Sequence, residues 1–219
     1  MEGKIAYRFE TPAYPGNILY VNIIPKYSCI NDCLFCSRPR DKEKENIYEK
    51  KAGTSLFLPR KPTIEEITHS IDSNIKEEDK EVAIIGLGEP LMFLPTVEKT
   101  IRYVKDKYKI KTRVDTNGLV KCMYENPAER LKDAGLDEIR ISLNATNEED
   151  YNRLCRPKFE NAISNLLGFI KDCLTEEIDT YISFVVGFED EDEKDYVDFA
   201  VRLGIKKENI LLRKYVPPI

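Results

Sequence analysis

Residues 26–39 read KYSCINDCLFCSRP, and three of the chain's six cysteines stand in this stretch, at positions 29, 33 and 36. The use of these thiols decides how the rest of the chain is read. The 219 residues carry a formal net charge of −5, with Lys and Arg interleaved among Asp and Glu, so no broad positive field points to nucleic acid. No run approaches the roughly 18 apolar residues that a membrane helix needs. The opening MEGKIAYRFETPAYPG lacks the apolar segment of a secretory signal. The expected location is therefore the cytoplasm, where thiols stay reduced. Metal binding or catalysis suits six cysteines better there than a disulfide framework.

The spacing C-x3-C-x2-C admits three uses. Positions i, i+4 and i+7 form a helical stripe of small core residues. Pro25 and Pro39 bracket the stretch, however, and stop a helix at both ends. A structural zinc ion takes four ligands. The single histidine, His69, lies in a helical pattern, and Cys122, Cys155 and Cys173 are scattered. An iron–sulfur cubane has four irons, each wanting a ligand. Three thiolates leave one iron open, and an open metal position is where a substrate or cofactor binds.

Outward from the cysteines, short apolar runs alternate with amphipathic segments. ILYVNII (18–24), EVAIIG (81–86), KTRVDT (111–116), DEIRISLN (137–144), DTYISFVVG (179–187) and NILLRKY (209–215) read as strands. Helical patterns lie between them: IEEITHSIDS behind Thr63 with Glu66 in a capping box, PTVEKTIRYVKDKY (95–108), NPAERLKDAG (126–135), NEEDYNRLC (147–155), FENAISNLLGFIKDCL (159–174) and DEKDYVDFAVRLG (192–204). This alternation predicts an α/β chain with a parallel sheet. A full eight-fold barrel needs about 250 residues, so the expectation is a partial, open (βα)6 barrel forming one domain over residues 1–219. Residues 38–62 fit no regular element and read as an irregular insert, either a cover for a site or a disguised helix. The charge block Asp41–Lys51 within it reads as a solvated face.

With Phe35 directly before the last cysteine, CINDCLFC resembles the cluster motif of the radical S-adenosylmethionine (SAM) superfamily. IIGLGEP (84–90) is similar to that family's GGEP motif, with Leu87 where a glycine is usual and Gly86 and Gly88 kept. DTNG (115–118) and SLNA (142–145) also resemble family segments. SLNATNEEDYNRLCRP (142–157) is similar to the subgroup associated with TatD-family nucleases. The resemblance implies a 4Fe–4S cluster on Cys29, Cys33 and Cys36, whose open iron takes the amino and carboxylate groups of SAM. An electron from the cluster then cleaves SAM to methionine and a 5′-deoxyadenosyl radical, which abstracts hydrogen from a substrate. It further implies an electron donor such as flavodoxin or ferredoxin, and it names no substrate. The residues it carries to the cofactor are Phe35, Gly86, Gly88, Glu89, Asn117, Ser142, Asn144 and Arg153, with Glu89 facing the SAM ammonium. On the residues alone, a non-catalytic iron–sulfur or zinc protein acting in electron transfer or partner binding stays open.

The strand pattern places these residues without reference to any family. Sites in parallel α/β folds form at the carboxyl ends of the strands. Cys29–Cys36, Gly86–Pro90, Asp115–Gly118, Ser142–Asn144 and Gly187–Glu189 all follow such ends. In 137–144, period-2 alternation puts Ile139, Ile141 and Leu143 under the helices and Arg140, Ser142 and Asn144 inside. Arg113, Asp115 and Asn117 share the inner face in the same way, with Asp115 and Arg140 as one expected pair. Asn144, nearest the rim, is expected to be removable at little cost to stability. Arg153 and Arg156 are expected to reach the SAM carboxylate or to form surface salt bridges. Arg38 and Arg40 follow the cluster motif as loop arginines or as cations that ease its reduction. Cys122 belongs to a loop near the rim, and Cys173 to the core. No second cysteine-rich segment is seen, which fits single-cluster chemistry at an open site.

Overall fold

The computed structural model describes residues 3–9, 16–38, 46–190 and 192–217. Arg40, part of the charge block and part of the insert lie outside these. One sheet of seven strands runs in sequence order. β1 (Ala6–Tyr7) is antiparallel to β2 (Ile18–Val21). From there every pairing is parallel, through β3 (Glu81–Ile84), β4 (Lys111–Thr116), β5 (Glu138–Ser142), β6 (Asp179–Val186) and β7 (Ile210–Lys214). The two end strands do not pair, so the barrel stays open. All six expected strands are present, and β1 is an addition. It is only two residues long and shows no alternation. It is held from outside by Arg8, whose guanidinium takes both oxygens of Asp79 at 2.6 and 2.7 Å.

Helices supply the crossovers: α1 (Ile47–Ala52) and α2 (Ile64–Asn74) before β3, α3 (Leu94–Lys107) and α4 (Pro127–Ala134) around β4, α5 (Glu148–Cys155) and α6 (Ala162–Thr175) after β5, and α7 (Glu193–Arg202) before β7. α2 begins with the expected capping box, in which the Glu66 N–H donates to Thr63 Oγ1 and Glu66 Oε2 accepts from the Thr63 N–H. The helix-facing side of the sheet buries Val21, Ile84, Val114, Ile141 and Phe184 against Ile67, Val97, Ile101, Leu131, Leu166 and Phe169. Each such side chain contributes roughly 1.5–3 kcal/mol, and this helix-side burial holds the strands together.

The inner face divides into three zones. Beside β1–β3, Tyr7, Tyr20 and Ala83 pack against Ala52 and Leu56. The insert is thus a cover carrying α1, and its Glu49 is not simply solvated. Glu49 Oε1 accepts from Tyr27 Oη, Ser55 Oγ and the Leu56 N–H at 2.8, 3.1 and 2.6 Å. Toward β4 and β5 the interior holds charges: Arg113, 3% exposed, pairs with Glu81 and Asp115, both at 2.6 Å. At the carboxyl ends of the strands a cavity opens.

Candidate functional site

The chain leaves β2 and turns through Lys26 and Tyr27, both left-handed (φ 51° and 52°). The cysteine loop then lies along the end of α5. The Asp32 N–H donates to Cys155 O (3.1 Å), the Leu34 N–H to Leu154 O (2.9 Å) and the Lys158 N–H to Ile30 O (3.0 Å). Helix ends leave carbonyls without intrahelical partners, and the loop supplies donors for them. Cys29, Cys33 and Cys36 all line one cavity of about 290 Å³. The Asn31 N–H points at Cys29 Sγ (3.4 Å) and the Arg38 N–H at Cys36 Sγ (3.4 Å). Burial, aided by nearby Glu89, pushes the Cys29 thiol up to about 11. A hydrogen bond to Cys155 and then burial raise Cys33 further. Metal binding at these thiols therefore has to displace protons.

The turn after β3 presses on this loop. A Cβ on Gly88 (φ 139°) would stand 2.3 Å from Ser28 O, and one on Gly86 2.4 Å from Asn22 Oδ1. Gly88 is thus demanded by the close approach of the two turns and Gly86 by the buried Asn22 side chain, while Leu87 between them packs against the cluster of Tyr7, Tyr20, Ala52, Leu56 and Ala83. Glu89 is 2% exposed. Its carboxylate accepts from the Leu91 N–H (2.8 Å), Thr116 Oγ1 (2.7 Å) and the Asn117 N–H (2.6 Å). Burial raises it to about 7 even so, with those three bonds pulling the other way. Asn117 extends the chain of contacts, its Nδ2 lying 3.7 Å from Cys29 Sγ.

The inner faces of β5–β7 complete the wall. Ile139, Ile141 and Leu143 are fully buried in the helix-side core, while Arg140, Ser142 and Asn144 line the cavity, as the alternation predicts. Ser142 Oγ lies 3.3 Å from Ser183 Oγ and accepts from Arg213 at 3.2 Å. Phe35 meets Phe188 edge-to-face at 5.8 Å, and Phe188 meets Tyr215 at 4.9 Å. The insert also reaches the site through Tyr48.

Several expectations need correction. Arg153 does not line the cavity; its guanidinium is held outside by Glu189 and Asp150. Gly187–Glu189 does follow the carboxyl end of β6 as expected, and Phe188 touches the cavity-lining Phe35 and Tyr215. Asp115 pairs with Arg113 rather than Arg140, whose Nε donates to Glu138 at 2.6 Å. Asn144 is no spare rim residue: it is left-handed (φ 59°) and its Oδ1 accepts from the Val185 N–H at 3.1 Å. As expected, Cys173 is buried in the core, and Cys122 packs against it from the turn after β4. Sequence reasoning passed over Asn31, Thr116, Ser183 and Arg213, although alternation along 179–187 and 209–215 places Ser183 and Arg213 inside by the rule that placed Ser142.

The donor set fits an iron–sulfur cubane and a polar cofactor beside it. The thiolates of a cubane each take a different iron, and Cys29, Cys33 and Cys36 all line the one cavity. Asn31 is 4% exposed and lines the cavity, yet its Oδ1 is the one buried side-chain polar atom without a partner among the described residues. A buried acceptor of this kind is costly unless a ligand supplies the donor.

Comparison with known proteins agrees with this geometry. The family model described as the radical SAM superfamily matches residues 23–203. The chain is 31% identical over 138 residues to a probable GTP 3′,8-cyclase of Methanococcus aeolicus, covering 62% of this chain and 40% of that protein. It is 28% identical over 192 residues to the GTP 3′,8-cyclase of Alkaliphilus oremlandii, covering 86% and 54%. The chain thus spans about half the length of these relatives, or less. Among solved structures, Streptococcus suis SuiB bound to S-adenosylmethionine superposes with a TM-score of 0.65 at 18% identity, over 92% of this chain and 42% of that one. That likeness is one of fold.

Proposed function

The chain belongs to the radical SAM superfamily, a family of enzymes that use a 4Fe–4S cluster and SAM, and we propose that its cavity holds both. The observation that carries this reading is the meeting of Cys29, Cys33 and Cys36 with the Gly86–Glu89 turn and the ends of β4–β7 on one cavity. Bound there, the pair supplies reductive cleavage of SAM and a 5′-deoxyadenosyl radical able to take hydrogen from a substrate. The three thiolates hold the cluster. Phe35, Gly86 and Gly88 shape the pocket beside it. Asn117, Ser142 and Asn144 offer hydrogen bonds to SAM. Glu89 acts mainly by locking the turns after β3 and β4 together, because its oxygens already accept three bonds; its charge would also favour the SAM ammonium beside it.

The substrate is unidentified. The names of the relatives make GTP the first compound to try. A small electron donor of the flavodoxin or ferredoxin kind, a cytoplasmic location, a single domain and affinity to the TatD-associated subgroup complete the reading. No helix among the described residues is long and apolar enough to cross a membrane. Anaerobic reconstitution tests the proposal. Iron and sulfide should be taken up in equal amounts with a broad absorbance near ~400 nm. SAM should perturb the paramagnetic signal of the reduced protein. Replacing Cys29, Cys33 or Cys36 by Ala should abolish uptake, while replacing Cys122 or Cys173 should not. Stoichiometric zinc without sulfide sinks the proposal.

A further inference from the structure

Two of the clustered cysteines receive a backbone donor from their own turn, the Asn31 N–H at Cys29 Sγ and the Arg38 N–H at Cys36 Sγ, each from two residues on and each at 3.4 Å. Cys29 has a second donor from far along the chain. Asn117 Nδ2 lies 3.7 Å from its Sγ, across 88 positions of sequence. The surroundings fix which end of this amide faces the sulfur. Asn117 Oδ1 accepts from the Leu119 N–H at 3.0 Å, which an amide NH2 group cannot do, so Nδ2 is left to the thiol. The backbone of the same residue is pinned as well. Its N–H donates to Glu89 Oε2 at 2.6 Å, and Glu89 also takes Thr116 Oγ1 and the Leu91 N–H. The Gly118 N–H closes the turn on Thr116 Oγ1 at 3.0 Å. An asparagine that only shapes a turn needs the bond to Leu119 and no more. This one also sets its amide nitrogen against a cysteine that lines the cavity.

We infer that Asn117 is a positioning residue that donates a side-chain hydrogen bond to Cys29 Sγ and thereby makes the cluster easier to reduce. The inference rests on the reading of Cys29 as an iron ligand. A ligating cysteine is a thiolate and can only accept, while Nδ2 can only donate, so the direction of the bond is settled. Reduction adds negative charge that spreads onto the ligand sulfurs. A donor aimed at one of them stabilises the reduced state more than the oxidised one, and hydrogen bonds to sulfur are among the factors that set cluster potentials. The bonds to Glu89 and Leu119 hold this donor in place before the electron arrives. Nδ2 carries a second hydrogen, which is left for SAM.

The test compares wild type with Asn117→Ala, Asn117→Asp and Thr116→Val, each reconstituted anaerobically and kept free of SAM, so that no lost contact to SAM enters the result. Iron and sulfide content is measured first, and the midpoint potential is then read by following the paramagnetic signal through a redox titration. Loading should match wild type in all three. Asn117→Ala, which has no donor, should shift the potential to more negative values. Asn117→Asp keeps the acceptor for the Leu119 N–H but sets a negative charge beside the sulfur, and should shift it further the same way. Thr116→Val removes two bonds from the same turn without touching a thiol, and should stay at the wild-type potential. An Ala variant at the wild-type potential overturns the inference, as does an Asp variant less negative than Ala, or a Thr116→Val variant shifted as far as Ala. Asn117 variants that take up no cluster also overturn it, since the residue would then serve assembly rather than reduction. A wild-type protein that takes up no cluster overturns the reading of Cys29 itself, and this inference with it.

Discussion

Glu89 is enclosed between two turns and titrates under that constraint. Its carboxyl rises from an ordinary 4.5 to about 7, chiefly through burial. The unfolded chain gives up this proton near the lower value and the folded chain near the higher one. Between them the folded state binds more protons, so the contribution of Glu89 to stability is largest at low pH and falls as pH rises through that window. Glu89→Gln should remove this dependence. The stability difference between wild type and variant should change by on the order of 3 kcal/mol between pH 4.5 and 7. Urea unfolding of the cluster-free proteins checks it, and a difference that does not vary with pH contradicts it. Asn144→Ala should cost about 1–2 kcal/mol, because the Val185 N–H loses its acceptor; a thermal melt at the wild-type temperature contradicts that. Individual site residues were legible where local spacing carries chemistry, as in the three cysteines and the Gly-Leu-Gly-Glu turn. Asn31 was not, since its partner Tyr151 lies 120 positions away and only the fold brings such partners together.

At the scale of elements, β5 separates an apolar face from a polar one. Leu143→Ala should cost about 2–5 kcal/mol by opening a core cavity, with cluster uptake preserved in the folded fraction. A variant as stable as wild type contradicts the register. β1 depends on the pair of Arg8 with Asp79, whose carboxylate is fully enclosed. Opposed by burial, the bonds from Arg8 and from the Lys76 N–H hold the Asp79 carboxyl below its usual range. The pair thus stabilises the fold above the ordinary aspartate pKa and loses that contribution as pH falls through the lowered one. Asp79→Ala should cost about 1.5–3 kcal/mol near neutral pH, measured by denaturant unfolding. Six strands and six helices could be read from alternation and caps because their patterns are local. β1 and α1 could not. A six-residue helix is too short to be stable alone, and α1 exists because Ala52 and Leu56 dock on Tyr7, Tyr20 and Ala83.

For the whole molecule, the open barrel matters because it gathers distant segments at one rim. The cysteine loop, the turns after β3 and β4 and the inner faces of β5–β7 come from separate parts of the chain and share one cavity. The buried charges of Glu81, Arg113 and Glu138 pair with one another on the inner face of β3–β5, and the helix-side core keeps the strands in register. The central claim is that this cavity cleaves SAM reductively. Reconstituted protein should be reduced in the presence of SAM, with and without GTP, and the products resolved by mass spectrometry. 5′-Deoxyadenosine and methionine should form in equal amounts, and neither from the Cys29→Ala variant. Protein that carries a full cluster, binds SAM and yet releases no 5′-deoxyadenosine on reduction contradicts it.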